Sequence, residues 1–193
     1  MTLRRAAQGF ILNRVLNLTG VLLVGGASRR FGSPKALARV GGGTLAERGW
    51  QTLGEICDER LAVGKRLDGL ELPFPLLDDG TEVRAALAGV VAGLRAAAND
   101  VCAILPVDCP LVTGAMLRKL AEACADAAVP QTGPLPGAYR KSALPVLEER
   151  LAAGELSLRD APLDVRVIEL DEDLLVNVNT PDDLAELVGS DYR

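Results

Sequence analysis

A glycine-rich loop with several positive charges runs from residue 25 to residue 35 and offers the groups that bind a polyphosphate. It reads G-G-A-S-R-R-F-G-S-P-K, with glycines at positions 25, 26 and 32. Glycine can expose its backbone amides to phosphate oxygens, and the loop adds the cations Arg29, Arg30 and Lys35. The spacing fits neither the P-loop nor the dinucleotide-binding pattern. The loop therefore predicts a phosphate site of another kind, with an ordinary surface turn as the alternative.

One acidic residue, Asp108, follows the most apolar run of the chain and is a candidate metal ligand. Residues 101–107 read V-C-A-I-L-P-V, which predicts a buried central strand, and Pro110 stops the ladder of that strand. Mg²⁺ is a hard cation that prefers carboxylate and phosphate oxygens. An aspartate at a strand end also commonly forms a turn or a cap. The apolar run and the proline favour the metal-ligand interpretation.

The chain contains no histidine, and this excludes several classes of enzyme. Ser-His-Asp hydrolases, Cys-His nucleophiles and His-based phosphoryl relays all require an imidazole. The net charge of −5 gives no reason to expect a nucleic-acid partner. The four cysteines form no C-x-x-C pair, which argues against a zinc site. Chemistry must therefore rest on carboxylates, Lys, Arg, backbone amides and a bound metal.

The elements that position these residues alternate between strands and helices. Apolar runs predict strands at residues 18–24, 60–63, 74–77, 101–107, 128–132, 135–140, 165–170 and 174–178. Helical spacing predicts helices at residues 44–55, 83–98, 113–127, 143–153 and 182–188. The order indicates an α/β fold of three layers, in which a mostly parallel, mixed sheet carries helices on both faces. In such sheets ligands bind beyond the carboxyl ends of the strands.

Length and composition favour one domain. The chain has 193 residues, of which 49% are hydrophobic and 3% aromatic, so an aliphatic core is expected. We expect a single domain over residues 18–190, preceded by a tail over residues 1–17. No apolar stretch approaches the ~18–20 residues of a membrane helix. These features predict a cytosolic protein with reduced thiols and no membrane partner.

Several segments resemble a known family in the order in which they occur. The segment L-V-G-G-A-S-R-R-F-G-S-P-K-A-L is similar to the L-A-G-G-x-S-x-R-M-G-x-x-K-x-L signature of the nucleotidyltransferases that mature molybdenum cofactor. L-P-V-D-C-P resembles the P-x-D-x-P strand end of that family, and N-V-N-T-P-D-D-L resembles its N-x-N-T-P-E-D-L ending. Within this group the chain looks most like the MobA-like molybdenum cofactor guanylyltransferases. The resemblance covers residues 18–188.

The resemblance implies a fold, a reaction and a set of site residues. The fold would be Rossmann-like, of the nucleotide-diphospho-sugar transferase type. The reaction would transfer GMP from GTP to molybdopterin, releasing pyrophosphate with Mg²⁺, and the protein partners would be molybdoenzymes or other cofactor-biosynthesis proteins. The implied nucleotide contacts are Leu23, Val24, Gly25, Gly26, Lys35, Asp78 and Asp108. Arg29, Lys35 and Asp108 would be catalytic, with Asp108 the metal ligand.

The sequence departs from the family pattern at two places that bear on the site. Ala85 and Ala86 stand where Gly-Pro is usual, and the strand end at residues 63–65 lacks an asparagine that often contacts the base. Asp79 is adjacent to Asp78 and is an alternative nucleoside contact. Asn177 and Asn179 are candidates for substrate binding or for starting a helix. The P-Q and P-L-P-G-A-Y segments within residues 130–139 resemble a stretch that faces the second substrate in the family.

Two alternatives to guanylyl transfer stay open at the level of sequence. One is the same chemistry with another nucleotide or acceptor, as in a molybdenum cofactor cytidylyltransferase or a sugar-phosphate nucleotidyltransferase. The missing asparagine bears on the choice between guanine and cytosine more than on the class of enzyme. The other is a nucleotide-binding partner or regulator without turnover, which the change at residues 85–86 would suggest.

Overall fold

The structure is a computed structural model that describes residues 17–25 and 34–190. Its seven-stranded sheet has the order β5-β4-β1-β6-β8-β7-β9, and β2 and β3 form a separate hairpin. The strands are β1 (Leu18–Leu23), β2 (Arg39–Val40), β3 (Gly43–Thr44), β4 (Glu59–Gly64), β5 (Leu76–Asp78), β6 (Val101–Pro106), β7 (Ala127–Pro130), β8 (Gly137–Arg140) and β9 (Val165–Ile168). Only β8 runs antiparallel to its neighbours in the large sheet, so the predicted mostly parallel, mixed sheet is confirmed.

Helices cover both faces of this sheet. They are α1 (Leu45–Gly54), α2 (Ala86–Ala96), α3 (Gly114–Ala123), α4 (Leu144–Ala153) and α5 (Pro181–Ser190). Successive side chains of a strand point to opposite faces, and β1 shows this division clearly. Val21 and Leu23 belong to a core cluster with residues of α2 and α4, whereas Leu22 packs with residues of α1, α3 and α5. The predicted three-layer architecture is confirmed.

Two glycines bring α2 close to β1 and so help to shape the space at the end of that strand. A Cβ atom on Gly93 would lie 2.7 Å from Cγ1 of Val21, and one on Gly89 would lie 2.8 Å from Cδ2 of Leu23. Real Cβ atoms essentially never make contacts this short, so glycine at these positions lets the helix lie against the strand without a shift of either. The start of α2 therefore lies against the carboxyl end of β1.

The predicted start of α1 is confirmed in detail. The Thr44 side chain accepts a hydrogen bond from the Glu47 amide at 3.1 Å, and the Glu47 carboxylate accepts one from the Thr44 amide at 2.7 Å. This reciprocal pair is a capping box, which satisfies amides that the first helical turn leaves without partners. The helix predicted at residues 113–127 begins as expected after Thr113 but ends at Ala123, because residue 127 already pairs with β8 and β9.

The strand predicted at residues 174–178 is wrong. Leu174 ends a 3-10 turn, Glu172–Leu174, and the residues after it belong to no strand. Leu175 and Val178 are buried, which explains the apolar pattern, but the segment passes over the end of β6 instead of lying beside a strand. Its contact there is a hydrogen bond from the Val178 amide to the Asp108 carbonyl oxygen at 2.8 Å.

Two expectations about the limits of the fold stay predictions. The tail predicted at residues 1–17 lies outside the described residues except for Asn17. The single domain predicted over residues 18–190 is in keeping with the one large sheet to which α1 to α5 attach. Among the described helices, none combines the length and apolar character of a membrane span.

Candidate active site

A cavity of about 470 Å³ opens at the carboxyl ends of β1, β4 and β6. Pockets for small ligands typically have volumes of ~300–1,000 Å³. The start of α2 forms one wall, and the segment that leads into α5 forms another through Asn177 and Asn179. The cavity therefore lies where ligands are expected in an open α/β sheet.

The end of β1 contributes Leu23, Val24 and Gly25 to the cavity, and all three were predicted as site residues. The Val24 amide donates to the Val63 carbonyl oxygen at 2.9 Å, which fixes the end of β1 against β4. A Cβ atom on Gly25 would lie 3.3 Å from Cα of Gly64, so the two backbones approach closely here. Gly26 and Arg29, the other predicted site residues of this loop, lie outside the described residues.

Lys35 and Asp108, the predicted cationic and metal-binding residues, lie together at the cavity. The Lys35 ammonium lies 3.3 Å from Oδ2 of Asp108 and 3.3 Å from Oδ1 of Asn179. The side chains of Lys35 and Asp108 are only 15% and 25% exposed. This partial shielding from water strengthens electrostatic interactions among them and with a bound ligand. In this cluster one ammonium donates hydrogen bonds to two oxygen atoms.

The segment with Asn177 and Asn179 both starts α5 and lines the cavity. Oδ2 of Asp183 accepts from the amides of Asn179 at 2.7 Å and Thr180 at 2.9 Å, and the Asp183 amide donates to the Thr180 hydroxyl at 3.1 Å. These hydrogen bonds cap the helix and hold the pKa of Asp183 below its usual value, chiefly through the Asn179 amide. The two interpretations of the sequence here are therefore compatible.

Cys109 contacts the segment with Asn177 and Asn179 through its side chain. Its Sγ lies 3.2 Å from Oδ1 of Asn177, and the residue is 2% exposed. Burial and the neighbouring Asp108 carboxylate raise the pKa of this thiol, because both disfavour the thiolate. A protonated thiol can donate to the Asn177 amide oxygen and so orient that side chain beside Asp108.

A buried ion pair, Lys65 with Asp79, lines the cavity near β4 and was not predicted. The Lys65 ammonium lies 2.8 Å and 2.9 Å from the two carboxylate oxygens of Asp79.

Asp78, the predicted nucleoside contact, is absent from the cavity lining. Its oxygens accept from the amides of Arg66 at 2.7 Å and Gly80 at 2.8 Å, and these hydrogen bonds lower the pKa of Asp78. Of the two adjacent aspartates left open by the sequence, Asp79 is the one at the cavity.

Two further segments contribute to the cavity wall, the start of α2 with Arg84 before it and the segment within residues 130–139. In each of them some side chains bond to other parts of the protein. Arg84 lines the cavity but is paired with Asp68, with its guanidinium 2.6 Å from a carboxylate oxygen. In the stretch that resembles the second-substrate segment, Leu135 lines the cavity. Gln131 instead bonds the backbone of Leu170, and the buried Tyr139 donates to the Pro134 carbonyl oxygen at 2.8 Å. Leu135 is therefore the member of this stretch placed to meet a ligand.

Within the described residues there is no group of three or more Cys, Asp or Glu side chains that could hold a metal ion by themselves. A cation at this site would combine the Asp108 carboxylate with neutral oxygens. The amide oxygen of Asn179 is nearby, since both oxygens contact the Lys35 ammonium. This donor set suits a hard cation such as Mg²⁺, which typically takes one or two carboxylates together with substrate phosphates.

Comparisons with known proteins find similar sequences that carry one name. A protein of Deinococcus radiodurans named "Probable molybdenum cofactor guanylyltransferase" is 39% identical over 190 residues, covering 91% of this chain and 96% of its own. One of the same name from Chloroflexus aggregans is 33% identical over 190 residues, covering 86% of this chain and 91% of its own.

A solved structure supports the fold. The crystal structure of molybdopterin-guanine dinucleotide biosynthesis protein A from Archaeoglobus fulgidus superposes with a TM-score of 0.75 at 24% identity, covering 90% of this chain and 98% of its own. The predicted nucleotide-diphospho-sugar transferase type of fold is thereby confirmed. The family model described as the MobA-like NTP transferase domain matches residues 20–165. The chain therefore belongs to the MobA-like NTP transferase family and is a nucleotidyltransferase.

Proposed function

We propose that this nucleotidyltransferase transfers GMP from GTP to molybdopterin and releases pyrophosphate, with Mg²⁺ as the metal. The observation that carries the proposal is the Lys35–Asp108 cluster at the end of the central strands, beside a cavity of about 470 Å³. Relatives that are named molybdenum cofactor guanylyltransferases and that match nearly the whole chain support the choice of substrates.

The nucleoside is proposed to lie along the end of β1. Leu23 and Val24 offer apolar surface to the base and sugar, and Gly25 lets the ligand approach the backbone closely. Asp79, rather than Asp78, supports a polar contact to the nucleoside, because Asp79 is the one that lines the cavity.

The phosphates are proposed to bind at the glycine-rich loop, which ends at Lys35. The Lys35 ammonium would neutralise charge on the α-phosphate and on the departing pyrophosphate. Gly26 and Arg29 belong to the same loop and would complete these contacts through a backbone amide and a guanidinium. Phosphoryl transfer depends mostly on positioning and on stabilisation of charge, so these groups suffice without a covalent intermediate.

Asp108 is proposed to hold the metal, with Asn179 close by. The metal held there would supply positive charge to stabilise the negative charge that develops on the phosphates. Asp108 is suited to this role because it lies two residues beyond the end of β6 and is fixed by backbone bonds on both sides. The Val107 amide donates to Leu23 at 3.0 Å, and the Asp108 carbonyl accepts from Val178 at 2.8 Å.

The reaction balances without a general base. An oxygen of the terminal phosphate of molybdopterin forms a bond to the α-phosphorus of GTP, and the bond from that phosphorus to the bridging oxygen breaks as pyrophosphate leaves. The second pKa of a phosphate monoester is ~6, so the attacking oxygen is already ionised at neutral pH. A chain without histidine is therefore equipped for this step. Proteins that deliver molybdopterin or receive the product are proposed as partners.

Pyrophosphate release in the presence of molybdopterin, Mg²⁺ and each nucleoside triphosphate in turn tests the proposal. GTP should support release, and Asp108→Asn should abolish it while leaving the thermal unfolding midpoint close to that of the wild type. Asp160→Asn is the matched control, because Asp160 is an exposed carboxylate away from the cavity. Full activity of Asp108→Asn would refute the assignment of the metal ligand.

Nucleotide preference has a separate test in thermal unfolding. A ligand at ~100 times its dissociation constant stabilises the folded state by about 2.7 kcal/mol. For a chain of this length that is an increase of roughly 5–10 °C in the midpoint. We expect the increase with GTP and Mg²⁺. An increase with CTP alone would make the protein a cytidylyltransferase, and binding of GTP without turnover would identify a regulator.

A further inference from the structure

In this structure, the Lys35 ammonium is the cation that Asp108 and Asn179 share. Its distance is 3.3 Å to Oδ2 of Asp108 and 3.3 Å to Oδ1 of Asn179, residues that are 73 and 144 positions away in the chain. The side chains of Lys35 and Asp108 are largely shielded from water. The Lys35–Asp108 contact is therefore partly buried, and the exposed Asn179 side chain meets it from the solvent side.

This ammonium and a divalent cation compete for the same oxygens. Mg²⁺ binds its oxygen ligands at ~2.0–2.1 Å, so a metal held by Asp108 would lie close to the place that the Lys35 ammonium occupies. Two positive charges at that separation repel strongly in a partly shielded site. Metal binding to these oxygens is therefore weakened while the ammonium stays in place.

Asn179 is held so that its amide oxygen faces this position. Its backbone amide donates to the Asp183 carboxylate at 2.7 Å, and its Nδ2 lies 3.5 Å from the Asn177 carbonyl oxygen. These contacts tie the residue to the first turn of α5 and direct Oδ1 toward Lys35. A neutral amide oxygen is an acceptable ligand for a hard cation.

We propose that Lys35 is a resident cation that fills the divalent-metal position of the ligand-free protein, and that Asn179 becomes a ligand of the metal once the nucleotide phosphates draw Lys35 away. The inference rests on the proposed function, in which Lys35 binds phosphate and Asp108 binds the metal. It adds Asn179 as a second protein ligand of the metal. It also adds an order of events, in which Lys35 moves to the phosphates before the metal takes its place. Metal and nucleotide then bind with positive coupling, and the metal alone binds weakly.

The test uses Mn²⁺ as the probe, with nucleotide absent and free Mn²⁺ followed by its paramagnetic resonance signal. Lys35→Met removes the charge and keeps a similar length. We expect this variant to bind Mn²⁺ roughly tenfold or more tightly than the wild type, since the repelling charge is gone. Lys119→Met is the matched control, because Lys119 lies on α3 and donates to the Glu169 carbonyl oxygen at 2.9 Å. It should bind Mn²⁺ as the wild type does.

Two double variants assign the ligands. Lys35→Met with Asp108→Asn should lose the gain in Mn²⁺ affinity completely, and Lys35→Met with Asn179→Ala should lose most of it. A gain that persists without the Asn179 amide would exclude Asn179 as a ligand. Equal Mn²⁺ affinity of Lys35→Met and the wild type, with both folded, would overturn the resident-cation role. Lys35→Gln replaces Lys35→Met should the latter not fold.

The outcome is separable from that of the proposed function. Mn²⁺ binding in the absence of nucleotide depends neither on guanine nor on molybdopterin. A wild type that shows the expected Mn²⁺ behaviour but releases no pyrophosphate with any acceptor would refute the guanylyltransferase assignment and leave the resident cation standing. Release of pyrophosphate by the wild type, together with unchanged Mn²⁺ affinity in Lys35→Met, would support the proposed function and refute the resident-cation role.

Discussion

Lys65 and Asp79 form an ion pair in which every proton of the ammonium has a protein acceptor. The two carboxylate oxygens lie at 2.8 Å and 2.9 Å, and the Thr81 carbonyl oxygen lies at 2.5 Å. An ammonium carries three protons, so Lys65 has none left for a ligand while the pair is intact. It instead fastens the turn at residues 79–81 to the end of β4, where the family pattern often has an asparagine that contacts the base.

Breaking this pair should destabilise the protein strongly. The side chains are 8% and 7% exposed, and Lys65→Met would leave the Asp79 carboxylate buried without its counter-ion. Removal of one partner of a buried ion pair typically costs about 3–5 kcal/mol. Urea unfolding of the variant measures the free energy directly.

A control for this prediction is the exposed pair Arg95–Glu148, whose side chains are 63% and 38% exposed. Arg95→Met should lower the free energy of unfolding by no more than about 1 kcal/mol. Losses of equal size in Lys65→Met and Arg95→Met would mean that burial does not decide the strength of the Lys65–Asp79 pair.

Removal of the Lys35 charge should weaken nucleotide binding. A hydrogen bond to a charged group contributes about 1.5–3 kcal/mol, so Lys35→Ala should raise the dissociation constant roughly 10- to 100-fold. Calorimetric titration with a non-hydrolysable GTP analogue and Mg²⁺ measures the change. Lys119→Ala serves as the control, and an unchanged affinity in Lys35→Ala would move the phosphate site elsewhere.

The cap of α5 should make part of the stability depend on pH. The pKa of Asp183 is lowered from 3.8, first by the Asn179 amide and then by the Thr180 side chain. A carboxyl whose folded pKa is depressed stabilises the fold above the unfolded value, and this contribution is lost as the pH falls through the folded value. The unfolding midpoint of Asp183→Asn should therefore fall less steeply than that of the wild type below pH ~4.

The experiment compares midpoints from pH 7 downward in the wild type, Asp183→Asn and Asp160→Asn. At neutral pH, Asp183→Asn should unfold at a lower temperature than the wild type, and the two curves should converge in acid. Parallel curves would show that the Asp183 carboxylate does not contribute through its cap.

The close approach of α2 to β1 should be sensitive to a single methyl group. A Cβ atom on Gly93 would lie 2.7 Å from Val21, so Gly93→Ala should force the helix away from the strand. Overpacking of this kind costs about 1–3 kcal/mol. Gly42→Ala is the control, because a Cβ atom there would meet nothing within 4 Å. Urea unfolding should show a loss in the first variant and little change in the second.

Local sequence was sufficient to predict most of the elements and to single out residues that the structure places at the cavity. The continuous apolar run of β6 predicts a strand because both of its faces are buried, and Thr44 with Glu47 predicts a helix start because the two side chains satisfy nearby amides. The positions of Lys35 and Asp108 next to these elements followed from their neighbours in the chain. Where the apolar pattern came from burial without pairing, as at Leu175 and Val178, the same reasoning produced a strand that does not exist.

The tertiary structure alone decided which distant groups meet. Asn179 reaches Lys35 from 144 positions away because α5 starts over the end of β6, a placement that no local pattern encodes. The order of the strands likewise places β4 between β5 and β1. Lys65 and Asp79, which follow β4 and β5, therefore meet as a buried pair at the cavity wall. Chain-local chemistry thus determined the type of site in this protein. The packing of helices on the sheet determined which side chains meet at the cavity and how their charges pair, since contacts between remote segments depend on the whole core.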